Sequence, residues 1–183
     1  MLSASVLINN CIIEHQLCIL LRLEEDLNQI KQEVEIMATF SVFDTTIQKT
    51  MIIVDEVSTE GKFHDREQAF KALRATLHAL RDRLPVNLAA QTGAQLPILL
   101  SGFFYEGWKP AATPVKDRSQ EEFIDHVREY LSDKAPQLNA MHVVKTVFKV
   151  LSNHISDGQI EDILKAFPEE LRDLWPEKAQ KSA

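Results

Sequence analysis

Apolar residues recur at helical spacing along most of the chain. Phe43, Ile47, Met51, Val54 and Val57 stand three or four apart and predict a first amphipathic helix ending near Gly61. Asp65 is positioned as an N-cap. Behind it Ala69, Phe70, Leu73, Leu77, Leu80 and Leu84 form one stripe, with Arg74, Arg81 and Arg83 on or beside the solvated side. Pro85 stops that helix because it has no N–H to donate. A short helix over Asn87–Thr92, closed by Gly93, and another with Leu96, Leu99, Leu100 and Phe103 behind Pro97 are expected next. Gly102–Arg118 has the composition of a loop. Ser119 with Glu122 is a capping box opening a helix through Phe123, Val127 and Leu131. After Pro136 the stripe is Met141, Val144, Val147, Phe148 and Leu151. Ser156 with Gln159 suggests a second box before Ile160, Ile163 and Leu164. Pro168 begins a last short helix with Leu171, Leu174 and Trp175, and the tail from Lys178 is expected to fray.

Sliding the chain by 71 residues brings these stripes into phase. Ala69, Leu73, Leu77, Leu80 and Leu84 fall on Ala140, Val144, Phe148, Leu151 and Ile155. Without a gap, Leu96, Pro97, Leu100 and Phe104 fall on Phe167, Pro168, Leu171 and Trp175. The expectation is an all-α helical bundle of two tandem repeated four-helix units, residues 37–111 and 112–176. Neither half is large enough to bury its apolar faces alone, so they share one core. Residues 177–183 are expected as a disordered tail.

Residues 1–36 differ from the rest. Glu14 and His15 interrupt the apolar run and no Lys or Arg precedes Arg22, which argues against a secretory signal or a membrane span. Two readings stay open: an amphipathic helix continuing through Glu24, Glu25 and Asp26 that docks loosely, or an extension foreign to the natural protein, with translation starting at Met37.

Composition supports the helical prior, with only 5 glycines and 7 prolines in 183 residues. A net charge of −7 and no Lys/Arg run disfavour nucleic acid as a partner. Cys11 and Cys18, two helical turns apart with no CxxC, point to a reducing, cytoplasmic setting.

The string Ala72–Pro85, with Gly93-Ala94-Gln95-Leu96-Pro97 and Gly102-Phe103-Phe104-Tyr105-Glu106-Gly107-Trp108, closely resembles the signature of the bacterial domain of unknown function family 2267. The resemblance runs from about Phe40 to Trp175. It implies a cytoplasmic all-helical domain of bacterial origin and carries over no activity or cofactor. Ser101 stands where members of that family often have Arg.

The candidate chemistry is sparse. His78 and Asp82 lie one turn apart, so His78 could bond Asp82 and serve as a base, with Arg81 beside them. The blander reading, surface or inter-repeat ion pairs, is preferred. His15, His64, His78, His126, His142 and His154 are scattered without HxxxH or ExxH, so no metal is expected. No GxGxxG or GxxxxGK[ST] cradles a phosphate, and no cofactor is expected. Four aromatics in the six residues Phe103–Trp108 could line a pocket or form a partner hot spot. The preferred reading is a plug at the seam of the repeats, with the polar tips of Tyr105 and Trp108 hydrogen-bonded. The function expected first is a non-enzymatic helical interaction module that binds a protein partner or self-associates. The alternative is a small-molecule binder or enzyme using a cleft near His78, Arg81, Asp82, Tyr105, Glu106 and Trp108.

Overall fold

The computed structural model describes residues 22–24, 26–32, 41–132 and 135–180. Among them every regular element is a helix, and no helix is long and apolar enough to cross a membrane. The chain divides into two compact units, Met1–Thr45 and Thr46–Ala183. In the first, residues 22–24 and 26–32 are helical, with Leu23, Leu27 and Ile30 exposed. The two readings of residues 1–36 otherwise lie outside the described residues.

The elements are α1 (Ser41–Gly61), α2 (Arg66–Arg83), α3 (Val86–Gln95), α4 (Ile98–Tyr105), a 3₁₀ turn (Pro110–Ala112), α5 (Gln120–Ser132), α6 (Ala140–His154), α7 (Asp157–Ala166), α8 (Glu169–Arg172) and α9 (Glu177–Gln180). α2 is the central helix of the second unit and packs on α4, α5 and α6. Leu73, Leu77, Leu80 and Leu84 are wholly buried, and one core runs from Ile53 through Leu80 and Phe148 to Ala179. Only the later part of the α1 stripe is in that core: Val54 and Val57 are buried, whereas Phe43 and Ile47 are exposed.

Capping chemistry sets the ends. The Asp65 carboxylate accepts the Gln68 N–H at 2.8 Å, as the sequence indicated. α1 closes with Phe63 N–H on Ser58 O at 3.0 Å and Lys62 N–H on Thr59 O, a Schellman arrangement. The left-handed position is taken by Lys62 (φ 51°) and not by the preceding glycine. Ser119 Oγ accepts the Glu122 N–H, while the Glu122 carboxylate reaches one residue further than a capping box requires, to Arg118 N–H at 2.6 Å. The expected second box is absent: Ser156 makes no side-chain cap, and the Gln159 side chain turns inward to donate to Thr92 Oγ1 at 3.0 Å.

Three expected boundaries are corrected. Helix α3 continues through Gly93, where an added Cβ would stand 2.1 Å from the Tyr105 hydroxyl oxygen; the glycine makes room for a ring instead of ending a helix. Helix α4 extends to Tyr105, three residues beyond the expected loop start at Gly102, because Leu100 and Phe104 anchor its last turns in the core. The expected disordered tail holds α9, where Ala179 is buried and Gln180 Nε2 donates to Arg172 O and Trp175 O; residues 181–183 lie outside the described residues.

Candidate functional site

The second half of α2 carries the polar groups that the sequence singled out, and their partners differ from the expected ones. His78 does not bond Asp82. Its Nε2–H donates to Phe103 O at 2.8 Å, which fixes the proton on Nε2. Arg81, read as solvated, is 2% exposed. Its Nη1 donates to Phe104 O (2.7 Å) and Glu106 O (2.9 Å), while Nε and Nη2 grip the Asp82 carboxylate at 2.7 and 3.0 Å. These acceptors lie at the C-terminal end of α4, where helix carbonyls lack intrahelical partners and carry the negative end of the dipole. A buried guanidinium and an imidazole on α2 thus close α4.

The Phe103–Trp108 string follows from the same contact. Glu106 (φ −57°, ψ 125°) and Gly107 (φ 67°), with Trp108 N–H on Tyr105 O at 3.1 Å, form a type II turn. Gly107 occupies the position that needs a positive φ. Arg74 Nη2 holds the Glu106 carboxylate at 2.6 Å. Tyr105 donates its hydroxyl to Ala90 O at 3.1 Å and lies 5.6 Å from the Trp108 ring. Trp108 Nε1 is buried and makes no hydrogen bond among the described residues, so only one of the two expected polar tips is satisfied. The other tryptophan, Trp175, is 2% exposed and stacked on Phe148 at 4.3 Å.

Asp82 leads to groups that the sequence reading passed over. Its Oδ2 accepts the Tyr130 hydroxyl at 2.7 Å, and its backbone carbonyl accepts Val115 N–H at 2.7 Å. Burial, reinforced by the hydrogen bond to Asp82, pushes the Tyr130 phenol up to about 12, so it stays protonated. Tyr130 forms a wall of two clefts. The larger, about 570 Å³, lies between α2 and α5 and is lined by Asp82, His126, Glu129, Tyr130 and Ser132 with Ala79 and Val115. The smaller, about 260 Å³, is lined by Glu67, Phe70, Lys71, Arg74, Ala75 and His78.

At the larger cleft, His126 Nδ1 lies 3.0 Å from Oδ2 of Asp117, a carboxylate that is 4% exposed. The carboxylate accepts the Nδ1–H, which leaves Nε2 as the ring's lone-pair nitrogen in the neutral form. His126 and Tyr130 stand one turn apart on α5, a spacing visible in the sequence. Asp117 comes from the loop before α5 and carries no sequence signal. Among the described residues, the other histidines pair singly: His154 with Glu56 at 2.7 Å, His142 with Gly61 O at 2.9 Å and His64 with Asp65 at 3.2 Å. Among the described residues, no three His, Cys, Asp or Glu side chains are placed to hold a metal ion.

The signature-bearing segments, α2 and the Tyr105–Trp108 turn, are therefore joined through backbone carbonyls. A family model described as uncharacterized conserved protein (DUF2267) matches residues 50–174. The chain belongs to the DUF2267 family. The match covers the clasp that Arg81 and His78 form on the end of α4, both clefts and the Asp117–His126 pair of this DUF2267 chain. No curated protein matches it.

Burial pulls the His78 pKa below its ordinary value, helped by Arg81 and Arg74 and opposed by the Phe103 carbonyl and Asp82. The unfolded chain takes up this proton near pH 6.5, whereas the folded chain does so only at lower pH. The His78 contribution to stability is therefore complete above about pH 6.5 and is lost as pH falls from there through the folded pKa. His78→Gln keeps an N–H for Phe103 O but cannot titrate. Its urea unfolding free energy is expected to fall less than that of the wild type between pH 7 and pH 5; parallel slopes would contradict the assignment.

Proposed function

We propose that this protein binds a small molecule in the cleft between α2 and α5. The observation that carries the proposal is the pairing of buried Asp117 with His126 on the wall of a cleft of about 570 Å³. A carboxylate held out of water against one imidazole nitrogen fixes the tautomer and leaves the other nitrogen for a ligand. This moves the small-molecule alternative from Tyr105 and Trp108, which pack on each other, to the opposite side of Asp82. Thermal denaturation of the full chain against a metabolite panel tests the proposal. A compound that raises Tm in the wild type and not in a folded His126→Gln variant supports it; a panel without effect, or effects indifferent to His126, overturns it.

The interaction-module reading has its own support in Ile47, Ile98 and Leu99, all exposed. The bond from Leu99 N–H to Thr46 Oγ1 (3.1 Å) draws the start of α4 beside α1. Such an apolar patch suits a second copy of the chain, in an isologous contact that needs no opposite charge. Sedimentation of wild type and Ile98→Lys over a concentration series distinguishes a dimer from a monomer.

A duplicated helical unit is supported by element ends 71 residues apart: Gly61 and Ser132, Arg83 and His154, Val86 and Asp157, Gln95 and Ala166, Ile98 and Glu169. A bacterial, cytoplasmic setting remains the companion to this proposal.

A further inference from the structure

The larger cleft has a one-sided hydrogen-bonding character. His126 gives its Nδ1–H to Asp117, Tyr130 gives its O–H to Asp82, and Ser132 gives its O–H to Glu129 O at 2.7 Å. Val115 N–H is engaged by Asp82 O. Asp82 and Glu129 have only acceptor oxygens when ionised. Among the described lining residues, every side-chain proton is thus directed into the protein. His126 Nε2, the Tyr130 and Ser132 oxygens and the carboxylates are acceptors. An acceptor-only wall is poorly matched to a carboxylate, phosphate or ketone, which bring acceptors of their own and would leave lone pairs facing lone pairs.

We infer that the ligand of this cleft is an organic cation rich in N–H donors, an alkylammonium or guanidinium compound. The inference rests on the cleft being a ligand site. Glu129, exposed, has no cationic partner among the described residues, whereas Asp82 is already neutralised by Arg81. A donor-bearing cation therefore meets Glu129 with its charge, and His126 Nε2 and the Tyr130 oxygen with its remaining N–H groups.

Calorimetric titration of the full chain with agmatine and putrescine, alongside 1,4-butanediol and succinate, tests the inference. The expected result is saturable binding of at least one cation, weakened about tenfold in Glu129→Gln, the loss of one charge-assisted hydrogen bond. Glu170→Gln, which removes the same charge elsewhere, is expected to leave that affinity unchanged. Equal weakening by the two variants means diffuse attraction to an acidic protein and overturns the inference. Binding of the diol or the dicarboxylate in preference, lost in His126→Gln, overturns the cation class and leaves the cleft as a ligand site. Absence of binding by all four probes overturns the cation inference; the wider metabolite panel then decides the cleft proposal separately.

Discussion

Arg81→Ala is expected to destabilise the protein by about 3–5 kcal/mol, the range for breaking a buried ion pair from one side. The substitution has three consequences at once. The Asp82 carboxylate keeps Tyr130 but loses both guanidinium bonds, the Phe104 and Glu106 carbonyls lose their donor, and a well-packed stem leaves a void beside α4. Lysine restores the charge without the fork, because a single ammonium cannot reproduce the bidentate carboxylate grip and reach both carbonyls. Arg81→Lys should therefore recover only part of the loss. Equilibrium unfolding in urea reads both variants, and a loss below about 1 kcal/mol, the value for a surface pair, would show that the clasp contributes little. The comparison with His78→Gln is informative, since that change keeps its hydrogen bond and alters mainly the dependence on pH.

Phe148→Ala is the second large effect, again about 3–5 kcal/mol for an aromatic ring removed from a core. Phe148 is completely buried, stacks on Trp175 at 4.3 Å and 16°, and has Phe123 and Phe167 within 6.0 and 6.5 Å. Helices α5 and α6, the C-cap of α7 and the segment after α8 meet at this ring, so collapse around the void is restricted. Trp175 should lose its rigid surroundings, with weakened near-ultraviolet circular dichroism and red-shifted emission. Trp108, which lies against Tyr105, should keep its signal. Unchanged Trp175 spectra at full loss of stability would place the damage elsewhere.

Much of this fold was legible from periodicity. The stripes through Leu73, Leu77, Leu80 and Leu84, and through Val144, Val147, Phe148 and Leu151, describe faces that do enter the core. Punctuation was less reliable. Gly93 and Gly102 have the composition of breaks, but a glycine inside a helix costs only about 1 kcal/mol and can be retained where the packing needs space. At Gly93 the space is filled by Tyr105. Arg81 escapes the periodic pattern for a different reason. Its burial depends on carbonyls of Phe104 and Glu106, contributed by a segment more than twenty residues away, and no local pattern reports them. The candidate cleft was half visible: His126 and Tyr130 share a face of α5, whereas Asp82 and Asp117 reach it from a different helix and a loop. Histidine spacing alone, searched for metal motifs, passes over an imidazole whose partner is a single buried carboxylate.

The clasp on α4 has a consequence for how the protein opens. Arg81 and His78 hold main-chain oxygens, so the end of α4 cannot detach without stranding two buried polar side chains on α2. Fraying of an eight-residue helix is thereby coupled to α2, the helix that packs on α4, α5 and α6. In native-state hydrogen exchange, the last-turn amides of α4 should follow the slow protons of α2, with protection well above that normal for a short helix, and the two segments should exchange as one cooperative unit.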